Sequence, residues 1–201
     1  MNTLPLKTSL MNLFFSLLWC VFQIFAYTVY MRSVLKWNTK PHLYTWLLWW
    51  TLATIVTVIQ ITNDAGWSIL ISGLMAFCNL SIAAISLKYG ETYLTLRDRC
   101  LLILAALTII FWQLTNNDLM AIILVCLIDG IAFYFTFKKS YHKPDEEKLP
   151  AYILWTAQLV SFALAVENPT LINLLYPIFL AGMEFAFVLF IIWRRKVIRM
   201  V

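Results

Sequence analysis

The stretch Asp118–Lys139, DLMAIILVCLIDGIAFYFTFKK, decides how the rest of the chain is read. It holds about 20 mostly apolar residues closed by two lysines, the length and flank of a helix that crosses a bilayer. Asp129 stands eleven residues after Asp118. At about 1.5 Å rise per residue that is roughly 16 Å along the helix. This is near the middle of a hydrocarbon core about 30 Å thick. A lone charge facing lipid there costs at least ~2.5 kcal/mol, so Asp129 is expected to face protein or water, or to carry a proton. An ionisable residue at that depth reads first as a functional site. The competing reading is a neutral Asp hydrogen-bonded to a neighbouring helix.

The composition extends this reading to the whole chain. Of 201 residues, 62% are hydrophobic and only 12% charged, which excludes a soluble globular domain. The loops are too short for a separate catalytic domain. The net charge of +5 does not point to nucleic acid, because the basic residues lie in short clusters at the ends of apolar runs. Cys20, Cys78, Cys100 and Cys126 lack CxxC spacing and read as small apolar residues. His42 and His142 lie in loops without a carboxylate-histidine pattern. No metal and no cofactor is therefore expected. No pairing of a nucleophile with a base suggests an enzyme.

Seven spans are predicted, at about 10–31, 43–62, 66–87, 100–116, 119–137, 150–167 and 170–193. The first is too long for a signal-peptide core and is expected to stay in the membrane. Asp118 is placed to cap the fifth helix, and Pro169 to start the seventh. Asp145, Glu146 and Glu147 read as the solvated start of the sixth. Fourteen of the fifteen Lys and Arg residues fall after spans one, three, five and seven, and only Lys7 falls on the other side. The N-terminus is thus expected outside and the C-terminus in the cytoplasm, with the chain in a bacterial inner membrane.

An internal repeat is visible in the order of residues. Arg32-Ser33, Lys40-Pro41, then Leu43, Trp46, Leu48 and Trp49 follow span one. Lys139-Ser140, Lys143-Pro144, then Leu149, Tyr152, Leu154 and Trp155 follow span five. The single domain 1–201 then divides into a three-helix repeat (10–87), a linker helix (100–116) and a second three-helix repeat (119–193). An odd linker span lets two copies run parallel, as in one class of transporter. Polar side chains are scarce at membrane depth, yet Gln23, Asn79, Asp129 and Glu184 lie on spans one, three, five and seven. By helix rise each lies roughly 18–21 Å from the N-terminal end of its span, somewhat less for Asp129. One shared midplane cavity is expected, with Gln158 of span six within reach. Trp49 and Trp155, at matching positions, are candidate cavity aromatics, as are Tyr27 and Tyr134. Trp37, Trp46, Trp50 and Trp193 read as interface anchors. Gln60 and Gln113 lie near the outer surface and are expected to be solvated.

With these features the chain resembles the PQ-loop superfamily, which includes the SWEET sugar transporters and their half-sized bacterial relatives. The resemblance spans essentially the whole chain. It implies an all-α membrane protein of seven helices in a 3+1+3 arrangement. In that family a Pro-Gln pair near the end of each repeat's first helix acts as a hinge. The matching places here read Phe22-Gln23 and Ile128-Asp129, with the glutamine kept once and neither proline present. The family's substrate-contacting polar residues on the third helix of each repeat fall here on Asn79 and Glu184. The function so implied is transport of a small solute by alternating access. Asp129 and Glu184 would be a titrating pair, Asp129 a proton- or cation-responsive switch, and Gln23 and Asn79 hydrogen-bonding groups. The partners are the lipid bilayer and a small polar or cationic metabolite, with a homo-oligomer compatible. The alternative is a non-transporting receptor or assembly protein of the same architecture, since fold alone does not set function.

Overall fold

The computed structural model describes residues 6–37, 40–142, 144–146 and 149–199. Lys143, Glu147 and Lys148, and the side chains of Lys7, Lys139, Glu146 and Arg199, lie outside the described residues. Seven α-helices make up nearly all of what is described: α1 Leu6–Leu35, α2 Leu43–Thr62, α3 Ser68–Tyr89, α4 Leu96–Thr115, α5 Asp118–His142, α6 Leu149–Leu164 and α7 Leu171–Arg199. A short 3-10 turn, Pro144–Glu146, stands apart between α5 and α6. Of the acidic residues expected at the start of α6, Asp145 and Glu146 belong to this separate turn, where Asp145 pairs with Arg195 of α7 at 3.3 Å, and Glu147 lies outside the described residues.

Among the described residues, six helices are long and apolar enough to cross a membrane. The sixth predicted span is the exception. Its helix has 16 residues, about 24 Å at the usual rise. It stops at Leu164 because the backbone that follows is used elsewhere. Val166 O accepts from Asn12 Nδ2 at 2.8 Å, and Glu167 N donates to Ala65 O at 3.1 Å. The surface is largely apolar, with Phe25, Phe77, Leu87 and Leu114 all at least 65% exposed. Between the helices sit small or polar residues, among them Asn12, Ser16, Ser72, Ser86, Thr108 and Ser161. That distribution suits helices whose outer solvent is hydrocarbon, since close packing and hydrogen bonds must then hold them together.

Within each group of three the order in space is first, third, second. α1 packs on α3 and α3 on α2; α5 packs on α7 and α7 on α6. α4 lies against α2 and α5. The groups are joined by α2 reaching α5 and α7, and by α6 reaching α1 and α3.

Three local expectations need correction. The linker helix starts at Leu96 rather than at residue 100, because Thr95 and Asp98 form a capping box that extends it by a turn. Asn117, not Asp118, caps α5, its Oδ1 accepting from Met120 N at 3.0 Å. The Asp118 carboxylate is engaged instead by Asn63 Nδ2 at 2.6 Å and Trp112 Nε1 at 2.7 Å. Gln60 is buried, 1% exposed, while Gln113 is exposed as expected. Closeness to a helix end does not mean exposure for α2, which has α3, α4, α5 and α7 around it.

The two ends of the bundle differ. At one, the α2–α3, α4–α5 and α6–α7 turns meet the start of α1 in a hydrogen-bonded knot. Asn63 O accepts from Asn173 Nδ2 at 2.9 Å and from Asn168 Nδ2 at 3.3 Å. Ser9 Oγ donates to Glu167 Oε1 at 2.6 Å, and Ser16 Oγ to Trp67 O at 2.6 Å. At the other end lie the basic residues of α1, α3, α5 and α7. There the segment before α2 runs beside the one after α3, with Leu43 N donating to Glu91 O and Glu91 N to Pro41 O. Gly90 permits this approach, since a Cβ there would collide with Pro41 O.

Candidate functional site

A cavity of about 250 Å³ lies where both three-helix groups and α4 meet. It extends from Asp129 of α5 and Glu184 of α7 to Tyr44 and Thr45 in the first turn of α2. Arg97 and Asp98 of α4's first turn and Tyr152 of α6 complete that end, so the cavity reaches toward the basic end. Phe133, Trp49 and Trp155 form apolar walls. The residue spacing explains the wall on each helix. Asp129, Ala132, Phe133 and Thr136 follow the i, i+3, i+4, i+7 pattern of one helical face. Tyr152 and Trp155 are three apart on α6, as are Trp46 and Trp49 on α2.

These two aromatic pairs are alike. The ring centroids of Trp46 and Trp49 are 5.1 Å apart with planes at 86°. Those of Tyr152 and Trp155 are 5.1 Å apart with planes at 87°. Trp49 and Trp155, which both line the cavity, are 39% and 41% exposed.

Asp129 is 3% exposed. Its carboxyl has the Tyr176 hydroxyl of α7 as hydrogen-bonding neighbour, and its Oδ2 has no protein partner. Glu184 Oε2 is likewise buried without one. Among the described residues neither carboxyl has a basic side chain at ion-pair distance. Asp98 differs. It accepts from the Thr95 backbone and hydroxyl and pairs with Arg97 Nη2 at 3.1 Å. His42 lies beside it, Nε2 3.8 Å from Asp98 Oδ2 and 2.8 Å from Tyr93 O. A carbonyl only accepts, so Nε2 carries a proton; Nδ1 then accepts from the Thr45 hydroxyl at 3.1 Å when the ring is neutral. Outside the helices, Glu91 accepts a hydrogen bond from the Tyr93 phenol and its charge lies nearby, which pushes that phenol's pKa up.

The cavity therefore takes in Asp129, Glu184, Trp49 and Trp155, but not every residue expected there. Gln23 sits between α1 and α6, its Oε1 accepting from Gln158 Nε2 at 3.3 Å, with the Cys78 thiol of α3 also against it. Asn79 is buried on α3, outside the lining. Tyr27 is hydrogen-bonded to Ser81 Oγ at 2.8 Å. Tyr134 is 59% exposed and borders a separate open depression with Phe137 and Tyr141. The expectation of one cavity for all four mid-depth polar residues is corrected to two polar groups. One is Gln23 with Gln158; the other is the carboxylate cavity. Equal depth on parallel helices leaves the direction around each helix free, and here it differs.

Three lining or neighbouring residues went unread in the sequence. Arg97 and Asp98 precede the span predicted from residue 100, although Thr95-x-x-Asp98 is a helix-start signal. Tyr176 gives no signal, being one aromatic residue in an apolar run. Among the described residues no group of three or more His, Cys, Asp or Glu side chains could hold a metal ion.

Helices and cavity together define the class: an all-α membrane protein with an aromatic-walled cavity between its helices that also holds carboxyl groups. No family model, no curated protein and no solved structure matches the chain.

Proposed function

We propose that this protein is a small-solute transporter of the bacterial inner membrane, built from two parallel three-helix repeats joined by α4, with its N-terminus outside. The observation that carries the reading is the cavity between the two groups, which holds two buried carboxyls without basic partners among the described residues. Buried charges are normally paired or neutralised, so groups left this way suit a bound cation or a proton. Supporting it are the same first–third–second packing in both groups and the like aromatic pairs on α2 and α6. The knot around Asn63 closes one end while the cavity reaches toward the other, an arrangement suited to alternating access. Pro177 interrupts α7 between the knot residue Asn173 and the cavity residue Glu184, a place where a helix bends at low cost.

In this reading Asp129 is the switch. When it is ionised it needs water or a cation; when it is protonated it joins a closed interior. Its neighbours are Tyr176 of α7 and Cys126 of its own helix; Glu184 of α7 and, at the far end, Arg97 and Asp98 of α4 line the same cavity. The test is uptake of a metabolite panel into vesicles holding the purified protein, with and without an imposed pH gradient. Uptake that responds to the gradient in the wild type and loses that response in Asp129→Asn is the expected outcome. A mutant that keeps both full rate and pH response reduces Asp129 to a structural contact. A chain that moves no solute leaves the receptor reading in its place.

A further inference from the structure

The cavity's lining says more about its occupant than that it is small. A volume of about 250 Å³ is roughly eight waters at ~30 Å³ each. It lies just below the ~300–1,000 Å³ of sites for drug-sized ligands. The occupant therefore has on the order of ten non-hydrogen atoms.

Charge narrows the chemistry. Of the three carboxyls in the lining, Asp98 is balanced by Arg97 and by the Thr95 cap. Asp129 and Glu184 each present a buried oxygen with no protein partner, and Asp129 is more than nine-tenths buried. An anion would meet both carboxyls, and the basic residue of the lining, Arg97, is already paired with Asp98. A polyhydroxylated neutral solute would need several neutral donors and acceptors, of which the lining supplies Thr45, Thr136 and two tyrosines. The walls are instead Tyr44, Trp49, Phe133, Tyr152 and Trp155. Aromatic faces attract cations, Trp most of all, and they also bury an apolar body. Carboxyl oxygens at one end and aromatic rings at the other complement a molecule with a cationic head and an apolar or aromatic body.

We infer that the substrate of this cavity is a small organic cation, an ammonium or guanidinium group set against Asp129 and Glu184 with its body between Trp49 and Trp155. The inference rests on the transport reading for its direction of use, but the site itself is tested by binding alone.

Benzylguanidinium and benzylurea are near-isosteric and differ in charge, and with phenylacetate and glucose they make the probe set. Binding to the purified wild-type protein is read by thermal shift and by quenching of tryptophan fluorescence. Flux is read separately, by uptake of labelled probes into vesicles. Saturable binding of benzylguanidinium at least about tenfold tighter than benzylurea is expected. Asp129→Asn and Glu184→Gln should each weaken the cation by about tenfold, a clearly larger loss than the same variant causes for benzylurea. The isostere comparison needs no variant, so a misfolded mutant does not blunt the test. Benzylurea or glucose binding as tightly as the cation, or no saturable binding of the cation, overturns the inference. If glucose enters the vesicles and the cation does not, transport stands and the cation site falls. If the cation binds selectively but does not enter, the site stands and transport falls.

Discussion

Gly66 has a φ of 68°, the left-handed region, and a Cβ there would run into the Glu167 side chain. Glu167 in turn holds Ser9 by its carboxylate and Ala65 by its backbone N–H. The glycine thus lets the α2–α3 turn approach the α6–α7 turn. Gly66→Ala is expected to cost about 1–2 kcal/mol from its backbone conformation and more from the collision. Gly182 on α7 has nothing within 4 Å of such a Cβ, and Gly182→Ala should hold or gain up to ~1 kcal/mol through helix propensity. Thermal unfolding of both variants in one detergent checks this, and equal losses would remove the argument for close approach. Asp129 shows the other side of the residue scale. The cost of a charge at its depth marked it from the sequence. Its partner Tyr176, and the Glu184 that shares its cavity, are set by the packing of α5 on α7.

The start of α4 and the end of α6 are set by local chemistry as much as by hydropathy. Thr95 and Asp98 carry α4 past the point where the apolar run begins and so place Arg97 and Asp98 on the cavity. Hydropathy alone starts the helix a turn late because the first turn is charged. Thr95→Ala removes the cap and should cost about 1 kcal/mol. The loss should appear as faster amide exchange in residues 96–99, with α7 unchanged. Exchange that stays slow would mean that the Arg97–Asp98 pair holds the turn without Thr95. α6 shows the reverse case, an apolar run longer than its helix, because Val166 and Glu167 spend their backbone groups on Asn12 and Ala65.

At the scale of the molecule, the placement of charge makes a prediction of its own. A phosphatase reporter fused after Val201, active only outside the cytoplasm, should be silent, while a cytoplasmic fluorescent reporter at the same place should be active. The reverse result overturns the orientation and with it the parallel-repeat reading. The sequence by itself determined the helices, six of which are long and apolar enough to span, and the gathering of basic residues at the ends of α1, α3, α5 and α7. It also singled out Asp129 and Glu184, since a polar group is costly in hydrocarbon wherever it sits, and Trp49 and Trp155 by their matching places after the first and fifth helices. Only the tertiary structure decided which polar groups meet. It put Gln23 with Gln158 rather than with Asp129, buried Gln60, and brought Asp98 beside the carboxyl cavity. The physical reason is that rise along a helix gives depth from residue number alone, whereas direction around the helix is read from an apolar stripe. In a membrane the lipid-facing side and the packed side are both apolar, so that stripe is lost and the neighbours set the direction.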